Sequence, residues 1–344
     1  MIPVPVAVRI VIPCKSADST IEPCLQAISR TRGIDTHTVV VDDGNNSRLR
    51  YLQKKYGFAL VTSGGGRGAG AARNLGAMGF AGDVLVFVDA DVELTFPDTI
   101  AKLVEPIVRG EAEATVGCYS ASCRNNFFSS YKHLYLAYTY GTRTGKLKNT
   151  FWTGLCAVNR AWFEDLGAFK ECYAGAGPED IEFGITLTGK GGRIVAVPEA
   201  RGTHLTQMGC RGIVSNDLRK GSEDVYVHWS RKIPLTNNRH VETADIFAVA
   251  FASCLASCAI LYPLIGILPS TACAGAYLVF RKKLLVNAFW GRGIGFFLQS
   301  AALGFILDLV RACAIVAGTV FWILDSASGG KWRPFIRRSD ASMS

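Results

Sequence analysis

The chain has 344 residues, a formal net charge of +9 and eleven cysteines. That length allows one large domain or two ordinary ones, and the positive charge favours an anionic partner such as a nucleotide, a phosphate or a membrane surface. No two cysteines form a C-x-x-C pair, which argues against a zinc ribbon or a thioredoxin-type site, and no nucleic-acid partner is expected.

The first half of the chain alternates strand and helix patterns. Strands are predicted at residues 6–12, 38–41, 58–62 and 84–88, and helices at 20–30, 71–80 and 100–108. This β-α-β alternation predicts an α/β fold with a mostly parallel sheet and helices on both faces. No signal peptide is recognised before the first strand, so we expect this part of the chain to stay in the cytoplasm.

The stretch VLVFVDADVE at 84–93 carries the strongest chemical signal. Its apolar half predicts a strand buried on both faces, and Asp89 and Asp91 follow at the carboxyl end of that strand. Open α/β sheets bind ligands at this end, and two adjacent carboxylates repel one another unless a cation lies between them. Since hard oxygen ligands suit Mg²⁺ or Mn²⁺, the segment predicts a divalent-metal site; an acidic turn is the alternative.

Two further segments belong to the same predicted edge of the sheet. Asp42 and Asp43 end the second strand, where a carboxylate can accept hydrogen bonds from a base or a ribose, although Asp-Asp-Gly is also a common turn. The glycine-rich segment at 64–70 opens a helix, which allows its backbone N–H groups to approach a phosphate. It does not follow the first strand, so a dinucleotide-binding dehydrogenase is not expected.

Candidates for proton transfer and for metal binding lie further along the chain. Glu179 and Asp180 open a helix, where a carboxylate can serve as a general base and where the helix dipole alone also favours acidic residues. His204 follows a short strand predicted at 194–197. A lone histidine is usually structural, but this one could complete the coordination of a metal held by Asp91.

The second part of the chain is apolar from about residue 246 to 324. Residues 246–268 are uncharged and long enough to span a hydrocarbon core of ~30 Å, while two prolines leave a tight two-helix hairpin open as an alternative. The basic segment at 281–292 predicts an interfacial helix. Asp308 and Arg311 lie near the middle of the next apolar stretch, so we expect them to pair or to face protein.

The basic tail favours a cytoplasmic carboxyl terminus. The sequence therefore predicts three parts: an α/β domain at 1–238, transmembrane and interfacial helices at 239–330, and a basic cytoplasmic tail at 331–344. The expected location is the inner, cytoplasmic membrane, with several crossings and with the α/β domain facing the cytoplasm.

Six segments in order resemble family 2 of the glycosyltransferases, which are inverting enzymes with the GT-A nucleotide-sugar-binding fold. They are VIP at 11–13, VVDDG at 40–44, GAARNLG at 70–76, VDAD at 88–91, GLCAVNR at 154–160 and PED at 178–180. The resemblance covers residues 6 to about 231. It implies that the predicted α/β domain is a GT-A domain.

The resemblance also implies roles for residues on the donor side. Pro13, together with Asp42 or Asp43, would hold the uracil and ribose of a UDP-sugar. Arg73 would lie near the nucleotide or its diphosphate. The four residues Cys14, Lys15, Ser16 and Ala17 stand where many members have Asn-Glu, so the donor contacts of this turn differ from the family pattern.

On the catalytic side, Asp89 and Asp91 match the D-x-D motif, with Asp91 as the direct contact to Mg²⁺ or Mn²⁺. Asp180 matches the catalytic base, and Glu179 is the weaker candidate for that role. The chain lacks a Q-x-x-R-W motif, which argues against a processive polysaccharide synthase.

These matches imply a membrane-anchored enzyme that moves a sugar from a UDP-sugar to a hydroxyl of a lipid-linked or glycan acceptor. The alternative is a polyprenyl-phosphate sugar synthase, in which a lipid phosphate is the nucleophile and no base is needed. A catalytically dead, nucleotide-sensing membrane protein is a third reading, disfavoured by the presence of Asp89, Asp91 and Asp180.

Overall fold

The computed structural model describes residues 6–121, 126–141, 145–147, 151–173, 177–235, 243–261, 267–330, 332 and 335. The chain forms two compact units. The sheet unit comprises 1–123, 139–206 and 335–344, and the helical unit comprises 124–138 and 207–334.

Nine strands form one sheet in the described residues of the sheet unit. They are β1 (Val8–Cys14), β2 (Thr36–Asp42), β3 (Ala59–Thr62), β4 (Val84–Val88), β5 (Val92–Leu94), β6 (Ala114–Tyr119), β7 (Gly145–Leu147), β8 (Leu155–Asn159) and β9 (Ile194–His204). Their order is β3-β2-β1-β4-β8-β6-β9-β5, and β7 pairs with β9. The first four strands are mutually parallel, while β8 is antiparallel to both of its neighbours. The predicted α/β fold class is confirmed.

The first strand extends beyond the proline at which the sequence pattern ends it. Pro13 pairs with Val41 of β2, and β1 continues to Cys14. On its other side β1 pairs with β4 only as far as Val11, opposite Phe87. A proline cannot donate a hydrogen bond to a neighbouring strand. Pro13 is tolerated because β1 is no longer paired with β4 at this position.

The described part of the sheet unit contains six helices: α1 (Ile21–Ile28), α2 (Arg48–Tyr56), α3 (Ala69–Ala77), α4 (Thr99–Val108), α6 (Arg160–Asp165) and α7 (Glu179–Gly189). Helix α3 lies very close to the sheet. A Cβ at Gly76 would lie 2.4 Å from Val11 Cγ1 and 2.9 Å from Val41 Cγ2. Such distances exclude a side chain, so Gly76 sets how closely α3 approaches β1 and β2.

A cluster of phenylalanines joins β4 to α6 and α7. The ring of Phe87 lies 5.5 Å from that of Phe163 and 5.2 Å from that of Phe169, and Phe183 lies 5.1 Å from Phe169. All four rings are buried. Aromatic pairs at these separations stabilise packing beyond their buried area. The cluster therefore holds the first turn of α7 near the end of β4.

The helical unit contains α5 (Phe127–Gly141), α8 (Cys210–Ser230), α9 (Thr243–Ile260) and α10 (Ile267–Ala327). Helix α10 is interrupted at Gly293, whose φ of 84° and ψ of 179° are not helical. On α5, Phe127, Tyr131, Tyr135 and Tyr138 form an aromatic stripe that packs inward, with Tyr131 and Tyr135 both buried. The stripe is core in this unit.

Helix α8 belongs to the helical unit, and the predicted end of the α/β domain at residue 238 stays a prediction. Small residues bring α8 and α10 together: a Cβ at Gly318 would lie 2.6 Å from the carbonyl oxygen of Ser222, and a Cβ at Gly221 would lie 2.8 Å from the Cβ of Ala314. The division between the units therefore falls at 206/207. The contacting residues are about 90 positions apart, so no local pattern predicts this boundary.

Helices α9 and α10 turn back on one another. Asp245, near the start of α9, pairs with Arg281 at 2.6 Å, well inside α10. Of the described helices, α10 is long and apolar enough to cross a membrane from Leu268 to Ala327, and α9 is a shorter apolar helix. The hairpin left open by the sequence is therefore the arrangement found, and the predicted number of crossings stays a prediction.

Candidate active site

The pairing of β5 with β9 brings His204 to the D-x-D segment. Val92 is paired with His204, so the residue before Val92 faces the end of β9. The Nε2 atom of His204 lies 3.2 Å from Asp91 Oδ2, and the hydroxyl of Thr206 donates to the same oxygen at 2.5 Å. Burial alone would raise the pKa of Asp91, but His204 and Thr206 outweigh it and hold the pKa below its ordinary value.

Arg73 of α3 lies between two carboxylates. Its Nη2 lies 2.8 Å from Asp89 Oδ1 and its Nη1 lies 2.8 Å from Glu179 Oε1, and the guanidinium is only 4 % exposed. Burial alone would lower the pKa of Arg73, but Asp89 and Glu179 raise it, so the side chain stays charged. This buried bridge ties the end of β4 to the first turn of α7.

Glycine at position 70 leaves room for the bridge. A Cβ there would lie 3.0 Å from the carbonyl oxygen of Lys170 and 3.2 Å from Glu179 Cγ. The glycine-rich turn thus contributes to the site by letting Glu179 reach Arg73. The structure shows the Arg73 guanidinium between two carboxylates, and its predicted contact with a nucleotide or diphosphate stays a prediction.

The two acidic residues of α7 differ in exposure. Glu179 is 3 % exposed and pairs with Arg73, so its carboxylate is not open to an acceptor. Asp180 is partly exposed, with Oδ2 3.4 Å from the hydroxyl of Thr153 and Oδ1 accepting from its own helix. A general base must reach the proton that it removes. Of the two, Asp180 has the geometry that the role requires.

Asp42 and Asp43 shape the loops at the neighbouring strand ends. The carboxylate of Asp42 accepts from the backbone N–H groups of Gly44 and Asn46 at 3.0 and 2.8 Å. That of Asp43 accepts from the backbone N–H groups of Arg67 and Gly68 at 2.8 and 2.9 Å. These amides of the glycine-rich turn are therefore used internally and do not form an open phosphate cradle. The contact of Pro13, Asp42 or Asp43 with a base or ribose stays a prediction.

Thr153 and Thr206 were missed by the sequence reasoning. Thr206 is 115 positions from Asp91 and reaches it because the strand pairing continues past His204, where Leu205 N donates to the carbonyl oxygen of Asp91 at 2.7 Å. Thr153 precedes β8, which lies beside β4 in the sheet. Neither threonine stands in a local motif, so only the tertiary pairing identifies them.

The balance of charge at this edge is negative. We call Arg73, Asp89, Asp91, Glu179 and Asp180 the edge cluster: it sets four carboxylates against one guanidinium. Asp89 and Asp91 are each about one-third exposed. Partly exposed carboxylates in excess of their counter-charges attract a cation.

The donor atoms fit Mg²⁺ or Mn²⁺. Asp91 Oδ2 and His204 Nε2 are close enough to share an ion, and among the described residues no set of three His, Cys, Asp or Glu side chains is grouped to hold a metal. Mg²⁺ usually keeps several waters and binds through one or two carboxylates plus substrate phosphates. A two-residue site that leaves positions for a diphosphate is consistent with that behaviour.

Comparison with known proteins relates the first part of the chain to one family. Residues 9–167 match the family model described as glycosyl transferase family 2. The match covers 159 of the 344 residues, so it relates this region, and not the whole chain, to the family. The matched glycosyltransferase region begins in β1 and includes both the D-x-D segment and Arg73.

A solved structure shares the fold over most of the chain. The mannosyltransferase PcManGT from Pyrobaculum calidifontis, in complex with GDP-Man and Mn²⁺, aligns with a TM-score of 0.57 and 18 % identity, covering 94 % of this chain and 89 % of that chain. At that identity the likeness shows the GT-A fold alone.

A curated relative matches a shorter stretch. The protein described as "Putative inactive polypeptide N-acetylgalactosaminyltransferase 12" of Drosophila melanogaster is 32 % identical over 155 residues, which are 39 % of this chain and 26 % of the relative. The chain thus spans about a quarter of the length of that relative.

Proposed function

We propose that the chain is an inverting glycosyltransferase that moves a sugar from a UDP-sugar to a hydroxyl of a lipid-linked acceptor. The observation that carries the proposal is the edge cluster, in which carboxylates outnumber cations beside one open acidic side chain, Asp180. The match of residues 9–167 to the family model and the GT-A fold support sugar transfer. The open carboxylate supports a hydroxyl acceptor, because a hydroxyl must lose a proton as it attacks.

Each residue of the site has a proposed role. Asp91 and His204 would hold Mg²⁺ or Mn²⁺, which when bound would neutralise the diphosphate leaving group. Asp180 takes the proton of the acceptor hydroxyl. Arg73 and Glu179 form a buried pair that fixes the start of α7, and so aims the neighbouring Asp180.

The proposed location is the cytoplasmic membrane, with the α/β domain in the cytoplasm. The long apolar helix of the helical unit and the +9 charge of the chain are consistent with a bilayer of anionic lipids. An enzyme held at a bilayer meets lipid-linked acceptors at high local concentration.

A donor screen tests the proposal. The full chain with Mn²⁺ and membrane lipid extract is offered a panel of UDP-sugars and, because PcManGT was solved with GDP-Man, GDP-sugars. We expect nucleotide release and a glycosylated lipid from one UDP-sugar. Activity with GDP-sugars alone would overturn the donor assignment, and neither transfer nor hydrolysis with any donor would overturn the function.

The variant Asp180→Asn tests the base. We expect transfer to fall by about 10²–10⁴-fold, because the amide cannot accept the acceptor proton, while the dissociation constant for UDP with Mn²⁺ stays within twofold. Asp165→Asn, at the exposed end of α6, is the matched control. Loss of nucleotide binding in Asp180→Asn would contradict the assignment. Full activity of this variant on polyprenyl phosphate would favour the polyprenyl-phosphate sugar synthase instead.

A further inference from the structure

Helix α9 and the first part of α10, residues 267–281, form an antiparallel pair that we call the apolar hairpin. Asp245 pairs with Arg281 at its base, and the rings of Phe247 and Phe251 stack on Phe280 with centroids 5.1 and 5.7 Å apart. The sequence from 246 to 280 contains no charged residue. The two ends of this uncharged segment therefore lie next to each other, because the residues that flank it, Asp245 and Arg281, form an ion pair.

The far end of the apolar hairpin lacks cover from the rest of the helical unit. Ile260 and Leu268 are each 79 % exposed, and Leu261 is 45 % exposed. Fifteen helical residues separate Asp245 from Ile260, which corresponds to about 22 Å at 1.5 Å per residue. That length is shorter than the ~30 Å hydrocarbon core of a bilayer.

The base of the apolar hairpin is built to lie near polar headgroups. Arg281 pairs there with both Asp245 and Asp308, all three buried or nearly so. The next two residues, Lys282 and Lys283, are exposed. Exposed lysines beside an apolar insert complement anionic lipid headgroups, each contributing about 1 kcal/mol near such a surface.

The turn at Gly293 in the same unit differs from the far end of the apolar hairpin, because it carries a charged side chain. Helix α10 breaks at Gly293, and Phe289 packs against Phe297 across the break at 6.0 Å. At this turn Arg292 is exposed beside the exposed Trp290. A charged side chain is costly at the bilayer centre, so this turn is suited to the interface and not to deep insertion.

We propose that the apolar hairpin enters an anionic lipid bilayer from one side and does not emerge from the other, with Lys282 and Lys283 at the headgroups. This inference deepens the membrane location in the proposed function and rests on it. In this arrangement α10 does not cross the bilayer. The apolar hairpin enters it instead, and the charged base of the hairpin stays at the membrane surface.

Flotation of the full chain with vesicles tests the insertion. The vesicles are phosphatidylcholine with or without phosphatidylglycerol, and neither donor nor acceptor is added. We expect the wild-type chain to float, and the double variant Leu261→Asp/Leu268→Asp to lose vesicle affinity by at least about tenfold, because an Asp inside a bilayer is strongly unfavourable. The double variant Val316→Asp/Val320→Asp, which charges two other exposed apolar positions of α10, should float like the wild type.

Three controls keep these outcomes decisive. We call Leu261→Asp/Leu268→Asp the tip variant. A melting temperature equal to that of the wild type, measured by circular dichroism, shows that the tip variant is folded. If it is not folded, the single variants Leu261→Asp and Leu268→Asp replace it. Lys282→Gln/Lys283→Gln should weaken binding only to vesicles with phosphatidylglycerol, by about fivefold per lysine. Unchanged flotation of the tip variant would overturn the proposal. If light scattering also showed that the wild type is an oligomer and the tip variant a monomer, the partner of the hairpin would be a second copy of the chain.

Chemical labelling tests whether the hairpin crosses. The variant Leu268→Cys in sealed vesicles is treated with a membrane-impermeant maleimide outside, inside or on both sides, and labelling is assigned by peptide mass spectrometry. We expect position 268 to be protected from both sides, while the exposed Cys210 of α8 is labelled from the side on which the protein was added. Labelling of position 268 from the far side would show a crossing. Because no sugar transfer is measured, an inactive protein that floats leaves this inference intact.

Discussion

Two groups of charged side chains organise this protein, and they differ in their balance of positive and negative charge. In the sheet unit, the edge cluster sets four carboxylates against the single guanidinium of Arg73. In the helical unit, a second group, which we call the helical cluster, sets three carboxylates against three cations; its members are Lys132, Asp217, Asp245, Arg281, Asp308 and Arg311.

The helical cluster is a continuous chain of pairs. Asp217 contacts Lys132 and Arg311, and Arg311 contacts Asp308 at 2.7 Å. The chain continues from Asp308 through Arg281 to Asp245, and the hydroxyl of Tyr277 donates to Asp308 at 3.0 Å. It joins α5, α8, α9 and both parts of α10.

The difference in balance separates a site from a scaffold. The helical cluster neutralises itself, so it attracts no ligand, and its contribution is to hold helices in one arrangement. The edge cluster leaves negative charge on the partly exposed Asp89 and Asp91, which a bound cation would neutralise. Both clusters contain buried charged side chains. Only the edge cluster combines an excess of negative charge with carboxylates that are partly exposed.

The largest effect that this comparison predicts is at Asp91. The variant Asp91→Asn should lower kcat/KM for transfer by about 10³-fold, because a catalytic metal ion contributes several kcal/mol and each 1.36 kcal/mol corresponds to tenfold in rate. Its affinity for Mn²⁺, measured by electron paramagnetic resonance with UDP present, should fall in parallel. Asp98→Asn, an exposed carboxylate paired with Lys102 on α4, is the control. Unchanged Mn²⁺ affinity in Asp91→Asn would contradict the metal assignment.

The next effect is on stability at both clusters. Arg73→Met leaves Asp89 and Glu179 without their buried cation, which should cost about 3–5 kcal/mol. The loss is measured as reduced hydrogen-exchange protection of amides in β1 and β4. Because the bridge also fixes Asp89, the same variant should weaken binding of UDP with Mn²⁺.

Asp308→Asn is the counterpart in the helical cluster. It removes the charge that lies between Arg281 and Arg311, and we expect a similar loss of about 3–5 kcal/mol, seen in exchange of α10 amides. Its affinity for UDP with Mn²⁺ should stay within twofold of the wild type. If both variants weakened nucleotide binding equally, the separation of site from scaffold would be wrong.

Sequence reasoning predicted the parts of the fold that rest on local pattern. The strand at 84–88 is found at those residues, and the helix at 100–108 is found one residue longer. Of the strands after β4, the sequence predicted only the start of β9, at 194–197, and it predicted none of the antiparallel pairings, because the paired strands lie far apart along the chain. Val86 pairs with Ala157, for example, and nothing near either residue indicates this register.

The candidate site was predicted in position but not in its contacts. The D-x-D motif and the acidic pair of α7 follow from residue type and from the end of a strand or helix. Placing Arg73 beside a diphosphate did not anticipate that Glu179 would reach it across Gly70, a contact that requires tertiary packing. The pairing of His204 with Asp91 was suggested as metal coordination, and the structure brings the two side chains together through β5 and β9.

The smallest effect concerns the response of the helical cluster to acid. Burial alone would raise the pKa of Asp217, but Lys132 and Arg311 lower it to about 2. A carboxyl group with a lower pKa in the folded state stabilises the fold above its unfolded pKa of about 3.9 and loses that contribution as pH falls towards 2. We therefore expect this group to account for a loss of about 2 kcal/mol in the helical unit between pH 5 and pH 2.

The contribution of Asp217 is isolated by comparing how the stabilities of the wild type and of Asp217→Asn change with pH. Asp217→Asn should be less stable than the wild type at pH 7, and its stability, followed by hydrogen exchange of α8 amides, should fall less steeply below pH 4. Asp98→Asn should follow the wild-type curve, because its carboxylate is exposed. A wild-type slope in Asp217→Asn would show that its pairing with Lys132 and Arg311 does not persist in solution, and the helical cluster would then lose its link to α5.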